Sequence, residues 1–570
     1  LIVALRNLAA ALLTGVGLLA APPALAETVV WLDGQIDTPG GSVQAMAVRD
    51  GRIVATGSDA LVLQAAGPGA RREDLHGQAV MPGLHDMHVH PQGGGYTRLQ
   101  CTFAQGSTPA QMLAAVKACA DKAKPGDWIV GGQWQAISFG DGGPNKAMLD
   151  SVAPHNPVLL YDISGHSAWV NSAALTMAGI ARGTAAVDSG VIEHDASGDP
   201  TGVLRENATA MVSDKIPPAS PEIQARALKI GLDTLLAFGV TELTDAMVGR
   251  DLLVAYDTLY DRGDLVQRVR GCIVYGMELG KGQAFEQVLA HRADYARPLL
   301  RTDCVKVFMD GVPTESHTAA MIEPYASGNG DVARDPARVR GLLKLKPEEL
   351  DPLIARLDRM GINVKFHSVG DRASQVALDA IERARAANGP NGPHHDIGHL
   401  TFIRAEDIAR AQRLGVTLEF SPYLWFPSAI NDDIIKAIGP ARIARVWPVR
   451  EGVASGALVV AGSDWEVVPS ANPWIGIETM VTRKAPDHAR GDETYGPGEA
   501  VTLRQAIDIF TINAARQMGN DKDLGSLEPG KIADFIVIDR NPFRIPIGEV
   551  HTIVVNRVFV AGREVFHRKG

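Results

Sequence analysis

From about residue 83 to residue 463 the chain keeps one hydrophobic rhythm. Short β-branched or apolar runs end on polar residues, and stretches with helical spacing separate them. The runs that read as strands are Gly83–Val89, Gly239–Thr244, Arg268–Tyr275, Cys304–Met309, Asn363–His367, His395–His399, Val416–Phe420 and Leu458–Ser463. Pro221–Phe238 and Pro347–Met360 are the clearest intervening helices, each opening on a proline suited to a first helical position. Strands alternating with helices in this way predict a (β/α)8 TIM-type barrel within an α/β fold, rather than an open sheet. The interval between the first and second runs is too long for one helix. It predicts an α/β insertion, about 95–225, between barrel strands 1 and 2. A helix opens there at Thr108-Pro109 and closes near Gly126, followed by strands Trp128–Gly131 and Pro157–Tyr161.

Both ends of the chain carry a different, strand-rich texture. Thr28–Leu32, Met46–Arg49 and Arg52–Thr56 surround an Asp50-Gly51 hairpin signal. Phe535–Ile538, Thr552–Val555 and Arg557–Val560 precede an Ala561-Gly562 turn. These ends predict one small β-sandwich domain built from 27–80 and 524–570, bracketing a barrel over 81–523. The first 26 residues are set apart. Arg6, the apolar run Leu8–Ala21, a Pro22-Pro23 pair and Ala24-Leu25-Ala26 have the order of a cleavable signal peptide. Cleavage is expected after Ala26, with a periplasmic or secreted product and no stable membrane span thereafter; a buried or anchoring helix is the alternative.

Composition narrows the partners. Asp plus Glu number 65 against 55 Lys plus Arg, a net charge of −10, and no basic cluster overrides it. Such a surface repels phosphate backbones, which argues against nucleic acid and leaves a small-molecule substrate as the expected partner. A homodimer is the assembly held open. The four cysteines (Cys101, Cys119, Cys272, Cys304) lack the CxxC spacing of a thiolate zinc site. Cys101 and Cys119 flank a short helical segment and are the better disulfide pair, with four buried free thiols as the other reading.

The sixteen histidines are not scattered. In Pro82-Gly83-Leu84-His85-Asp86-Met87-His88-Val89-His90-Pro91, His88 and His90 are two apart on a strand and share a face, so both can address one metal. His85 is out of that period and reads as structural. Lys306, His367, His399 and Asp464 lie at the C-terminal ends of later strands, where barrel active sites are built. A lysine inside an apolar strand must find a partner, lose its charge or react. Carbamate formation with CO₂ would turn Lys306 into a carboxylate able to bridge two cations.

On these motifs the sequence resembles the amidohydrolase superfamily, and within it the YtcJ-like (amidohydrolase 3) family. The resemblance extends to Gly165-His166-Ser167-Ala168-Trp169-Val170-Asn171, Thr201-Gly202-Val203-Leu204-Arg205-Glu206, Gly370-Asp371-Arg372-Ala373 and Thr511-Ile512-Asn513-Ala514-Ala515. It implies one or two divalent metal ions, zinc first. His88 and His90 would hold the more buried ion and His367 and His399 the more exposed one, with Lys306 bridging as a carbamate and Asp464 completing the first shell. Asp464 is also the expected catalytic proton carrier. His166, Arg372 and Trp134 are candidate substrate contacts, while Asp371 and Arg372 read as a mutually supporting pair. The chain departs from the family pattern at Gln135 and over Val312–His317.

The function this implies is an exported metal-dependent amidohydrolase. It would cleave a non-peptide C–N bond, in an amide, cyclic amide or N-acyl compound, by metal-activated hydroxide. The alternatives are an ester, lactone or phosphoester hydrolase on the same scaffold, or a non-catalytic periplasmic ligand-binding or regulatory protein.

Overall fold

Eight parallel strands form the central sheet, and their order in space is their order in the chain. They are β1 (Leu84–Val89), β2 (Val240–Val248), β3 (Arg268–Tyr275), β4 (Leu300–Phe308), β5 (Asn363–Ser368), β6 (Asp396–His399), β7 (Thr417–Phe420) and β8 (Val459–Ala461). This computed structural model describes residues 27–104, 106–135, 138–140, 143–162, 167–185, 190–276, 283–314, 317–326 and 339–569. The arrangement is the TIM-type barrel expected from the rhythm, with every one of the eight runs present as a strand. Helices Pro221–Ala237 and Pro347–Arg359 end one residue before the sequence suggested.

The sheet closes between β8 and β1 through loop backbone rather than strand ladder. Asp464 N donates to His88 O (2.7 Å) and His90 N donates to Trp465 O (2.7 Å). The buried Asp86 carboxylate pins the same seam, accepting from His88 N (3.1 Å) and Ser463 N (2.9 Å). Gly462 is required here. A Cβ at that position would lie 2.3 Å from His88 N, so any side chain would push β8 off β1.

Between β1 and β2 the chain builds a six-stranded mixed sheet from Cys101–Thr102, Ile129–Trp134, Val158–Asp162, Ser167–Val170, Gly190–His194 and Pro200–Glu206. Helix Pro109–Ala120 covers it and opens on a Thr108/Gln111 capping box. That helix stops six residues short of Gly126, because residues 121–128 form a turn fastened by Asn156 to the carbonyls of Lys124 and Asp127.

The two ends of the chain meet as the strand-rich termini imply. One six-stranded sheet interleaves Gln35–Thr38, Gly41–Val43 and Ala79–Pro82 with Phe535–Ile538, Val555–Val560 and Arg563–His567. It faces a four-stranded sheet across a core in which Trp31 meets Phe535 and Phe559 edge-on, at centroid distances of 5.1 and 5.6 Å. Two expectations need correction. Thr552–Val555 is not a strand, since Ile547–Thr552 forms a 3-10 turn and the strand begins at Val555. The polar strand Arg563–His567 was not anticipated, because its exposed, charged face carries no hydrophobic alternation.

Both cysteine pairs are disulfides, Cys101–Cys119 and Cys272–Cys304. The second joins register partners on β3 and β4. Among the described residues, no helix is long and apolar enough to cross a membrane.

The C-terminal segment docks on helix Pro473–Thr482 through His551. Its Nδ1 faces Glu478 Oε2 and its Nε2 faces Asp487 Oδ1, both at 2.7 Å. An imidazole between two carboxylates holds both protons. Burial pulls its pKa down, but hydrogen bonds to Glu478 and Asp487 outweigh this and hold it above 6.5. A raised folded-state pKa adds stability below the unfolded value and loses it as pH rises through the folded one. Thermal melts of wild type against His551→Gln should differ by about 1–4 °C at pH 6 and converge toward pH 9; a pH-independent gap would reject the charged bridge.

Candidate active site

The polar residues at the C-terminal ends of the barrel strands converge. His88 and His90 leave β1 on one face, and the Asp464 carboxylate reaches them from the loop after β8. Asp464 Oδ1 is 3.7 Å from His88 Nε2 and 3.4 Å from His90 Nε2. Donor atoms of these three residues all lie within 4.8 Å of one another. Lys306, on β4 and only 1% exposed, points its Nζ at His88 Nε2 from 2.9 Å. His399 adjoins from β6, with Nδ1 3.8 Å from Asp464 Oδ2 and 3.2 Å from Ser421 Oγ. His367 completes the ring from β5. The His88–His399 and His399–His367 centroids are 4.6 and 4.5 Å apart. The six residues singled out in the sequence therefore occupy one end of the barrel.

The local backbone is specialised. His399 and Asp464 sit at φ +72° and +59°, the left-handed region that residues with side chains seldom adopt. Such conformations persist where surrounding structure enforces them, often at functional sites. For Asp464 the seam bond from its N to His88 O supplies the enforcement.

Electrostatics keep the imidazoles of His88, His367 and His399 neutral. Burial, reinforced by Lys306 and Lys365, holds His88 well below 6.5. Burial and the neighbouring His367 do the same for His399. His367 is pushed down to about 3 by burial and Lys306. Burial and Lys365 bring Lys306 down to about 8. Asp310, raised by burial to about 7, accepts from Gly370 N, Ala320 N and Val369 N. It thereby ties the loop after β4 to the loop after β5.

Several sequence assignments change. Trp134 is not at the site. It is 1% exposed in the core of the insertion, donating Nε1 to Leu160 O (2.9 Å) and packing on Phe139. Arg372 is exposed in the first turn of helix Asp371–Asn388, and Asp371 Oδ1 accepts from Ile322 N and Arg372 N, so the supposed carboxylate–guanidinium pair is a backbone clamp. His166 lies outside the described residues. His85 is structural, with Nδ1 3.0 Å from Glu242 Oε2. Neither histidine pair is uniformly the more buried. Side-chain exposure is 1% and 16% for His88 and His90, against 13% and 5% for His367 and His399.

Three buried residues were missed. Glu419 on β7 contacts His88 Nδ1 through Oε1 (2.6 Å), Lys365 on β5 contacts Glu419 Oε2, and Asp396 on β6 lies 3.1 Å from Lys365 Nζ. The signal was present in Lys365-Phe366-His367, where period two places Lys365 on the face of His367.

Comparison with known proteins bears on this geometry. The profile described as the amidohydrolase family matches residues 72–566. The chain belongs to the amidohydrolase family. It is a metal-dependent hydrolase acting on carbon–nitrogen bonds. Among its relatives, protein LONG AFTER FAR-RED 3 of Arabidopsis thaliana is 30% identical, over 96% of this chain and 93% of the relative. The N-substituted formamide deformylase of Arthrobacter pascens is 28% identical, over 94% and 97%. An uncharacterized metal-dependent hydrolase from Pyrococcus furiosus shares the fold, with a TM-score of 0.72 at 24% identity over 91% of this chain and all of that one.

The residues present fit the cation that membership implies. Imidazoles and a carboxylate converge on one space, and among the described residues His399 Nε2 and His90 Nδ1 are buried without a hydrogen-bond partner. Buried nitrogens of that kind are costly unless something occupies their lone pairs.

Proposed function

We propose that the protein is an exported amidohydrolase cleaving a non-peptide C–N bond of an amide, cyclic amide or N-acyl compound at this cluster. The observation that carries the reading is the convergence of His88, His90 and Asp464 donors within 4.8 Å, at the end of a barrel whose neighbouring strands add Lys306, His367 and His399. Relatives named as an N-substituted formamide deformylase and an imidazolonepropionase support the bond class.

His88, His90 and Asp464 would hold one divalent cation, with zinc the first choice. His367 and His399 would hold a second, and Lys306, once carboxylated, would contribute a carboxylate between them. Bound there, a divalent cation acidifies water and polarises a carbonyl oxygen. The chain's own residues do the rest. Asp464 lies beside both β1 histidines, where a carboxylate oxygen can take the proton of the attacking water and return it to the departing nitrogen. His88, His367 and His399, held neutral, leave lone pairs free to act as ligands. Lys306, brought down to about 8, has an accessible neutral amine, the form that reacts with CO₂.

Turnover of N-substituted formamides, N-acyl anilides and p-nitrophenyl acetate, with and without chelator, tests the bond class. Chelator-sensitive amide cleavage is expected. Cleavage of esters, lactones or phosphoesters alone, or activity surviving complete metal removal, would overturn the reading, and ligand binding without turnover would make the protein a binding protein.

Export rests on the leader-like first 26 residues and agrees with two disulfides, which persist in oxidising compartments. N-terminal sequencing of protein recovered from a secreting host should begin at Glu27; an intact leader would contradict export.

A further inference from the structure

We infer that Glu419, held by Lys365, is a positioning residue that fixes the tautomer of His88 and aims its Nε2 lone pair into the metal cluster. The inference rests on the metal-site reading above and extends it to residues on β5, β6 and β7 that touch neither substrate nor cation.

Glu419 is fully buried, and its two oxygens have different partners. Oε2 is bonded by the Lys365 ammonium, and Oε1 lies 2.6 Å from His88 Nδ1. The Lys365 amine donates to one oxygen, and the other oxygen of a carboxylate has only lone pairs to offer, so the proton of that second bond belongs to His88 Nδ1. Nε2 is then the bare nitrogen, and it is the atom facing Lys306 Nζ at 2.9 Å and Asp464 Oδ1 at 3.7 Å.

Lys365 is itself fixed from two sides. Its Nζ is 3.1 Å from Asp396 Oδ1, and Asp396 Oδ2 accepts from Gln517 Nε2 (2.7 Å). The orientation of Glu419 is therefore set by a network reaching through the barrel interior to the helix Ile512–Met518.

The fold leaves room for this contact. At Gly398, on β6, an added Cβ would lie 3.2 Å from Glu419 Oε1 and 3.4 Å from His88 Nδ1. A side chain there would press on the bond itself. Ligating histidines commonly donate their second ring N–H to a carboxylate, and loss of that partner costs about 10–100-fold in metal affinity.

In Glu419→Gln the amide oxygen is drawn to the Lys365 ammonium, which presents the amide N–H₂ to His88. Nδ1 must then accept, and the proton moves to Nε2, the nitrogen needed for the metal. In the double variant Glu419→Gln/Lys365→Met the amide is released and can again accept from Nδ1–H. Zinc affinity is measured by chelator competition on the full-length protein. Glu419→Gln should bind zinc about 10–100-fold more weakly than wild type, and the double variant should recover about 10-fold of that loss. Wild-type affinity in Glu419→Gln, or a double variant no better than the single, would overturn the inference; a purely structural role predicts that the second substitution makes matters worse. Should either variant fail to fold, ¹⁵N-histidine spectra of the metal-free wild type give the answer directly. His88, assigned with His88→Gln, should carry its proton on Nδ1, and a proton on Nε2 would overturn the assignment. Failure of wild-type zinc binding would instead defeat the metal-site reading, and the spectra would still report the tautomer.

Discussion

Asp464→Asn should keep its metal and lose about 10²–10⁴-fold in kcat, the range expected for removing a positioned acid–base group. The substitution is mild in every structural respect. Asn has the same shape and keeps one carbonyl-type oxygen for the cation. It also tolerates positive φ, so the +59° backbone of residue 464 is not strained further. The seam bond from its N–H to His88 O involves main chain alone and survives. What disappears is a base able to hold a proton between His88 and His90, 3.4–3.7 Å away. The effect should therefore fall on kcat, with metal content unchanged. A near-normal kcat would assign the proton to another group.

Lys306→Ala should have the second-largest effect. A fully buried amine aimed at His88 Nε2 is poor core material, since burial and Lys365 both oppose its charge. Carboxylation would resolve the conflict by making the side chain an anion able to serve a bound cation. Removing it should lower metal stoichiometry and weaken binding by more than the ~10–100-fold typical of losing an outer partner. Formate or acetate should restore part of both, because a short carboxylate can enter the space vacated by the side chain. Unchanged metal content, with no response to added carboxylate, would leave Lys306 as an ordinary buried amine.

The barrel was legible because its signal is redundant. Each strand is a short apolar run ending in a polar residue, and the error at the ends is a few residues. His88 and His90 were legible from period two, and Lys306 from the cost of burying charge. The supports of the site were not. Glu419 lies between Leu418 and Phe420, and a single acid in a buried strand does not declare which strand supplies its counter-charge. Only closure of the barrel brings β7 against β1 and β5. Cys272 and Cys304 show the same limit, since both lay in strands read as neighbours, yet pairing requires a register that sequence does not state. Trp134 failed for the opposite reason. A large aromatic beside a motif looks like a pocket wall, but burying its full surface against the insertion core, with Nε1 satisfied by Leu160 O, is the stronger use of it.

The terminal strands add a related lesson. Phe535–Ile538 was evident because all four residues are buried, whereas Arg563–His567 pairs through main chain while exposing Arg563 and Glu564. Edge strands of this kind use charge to discourage further pairing, which removes the alternation that would reveal them.

His88, His90 and Asp464 should hold the cation on which C–N hydrolysis depends. Elemental analysis beside amide turnover, on wild type and on His88→Ala/His90→Ala, tests it most directly. Wild type should carry about one to two equivalents of divalent metal, lose amide turnover on chelation and regain it on metal return, while the double variant should hold less metal and show no recovery. Equal metal content in both proteins, or undiminished amide turnover in metal-free wild type, would contradict the account.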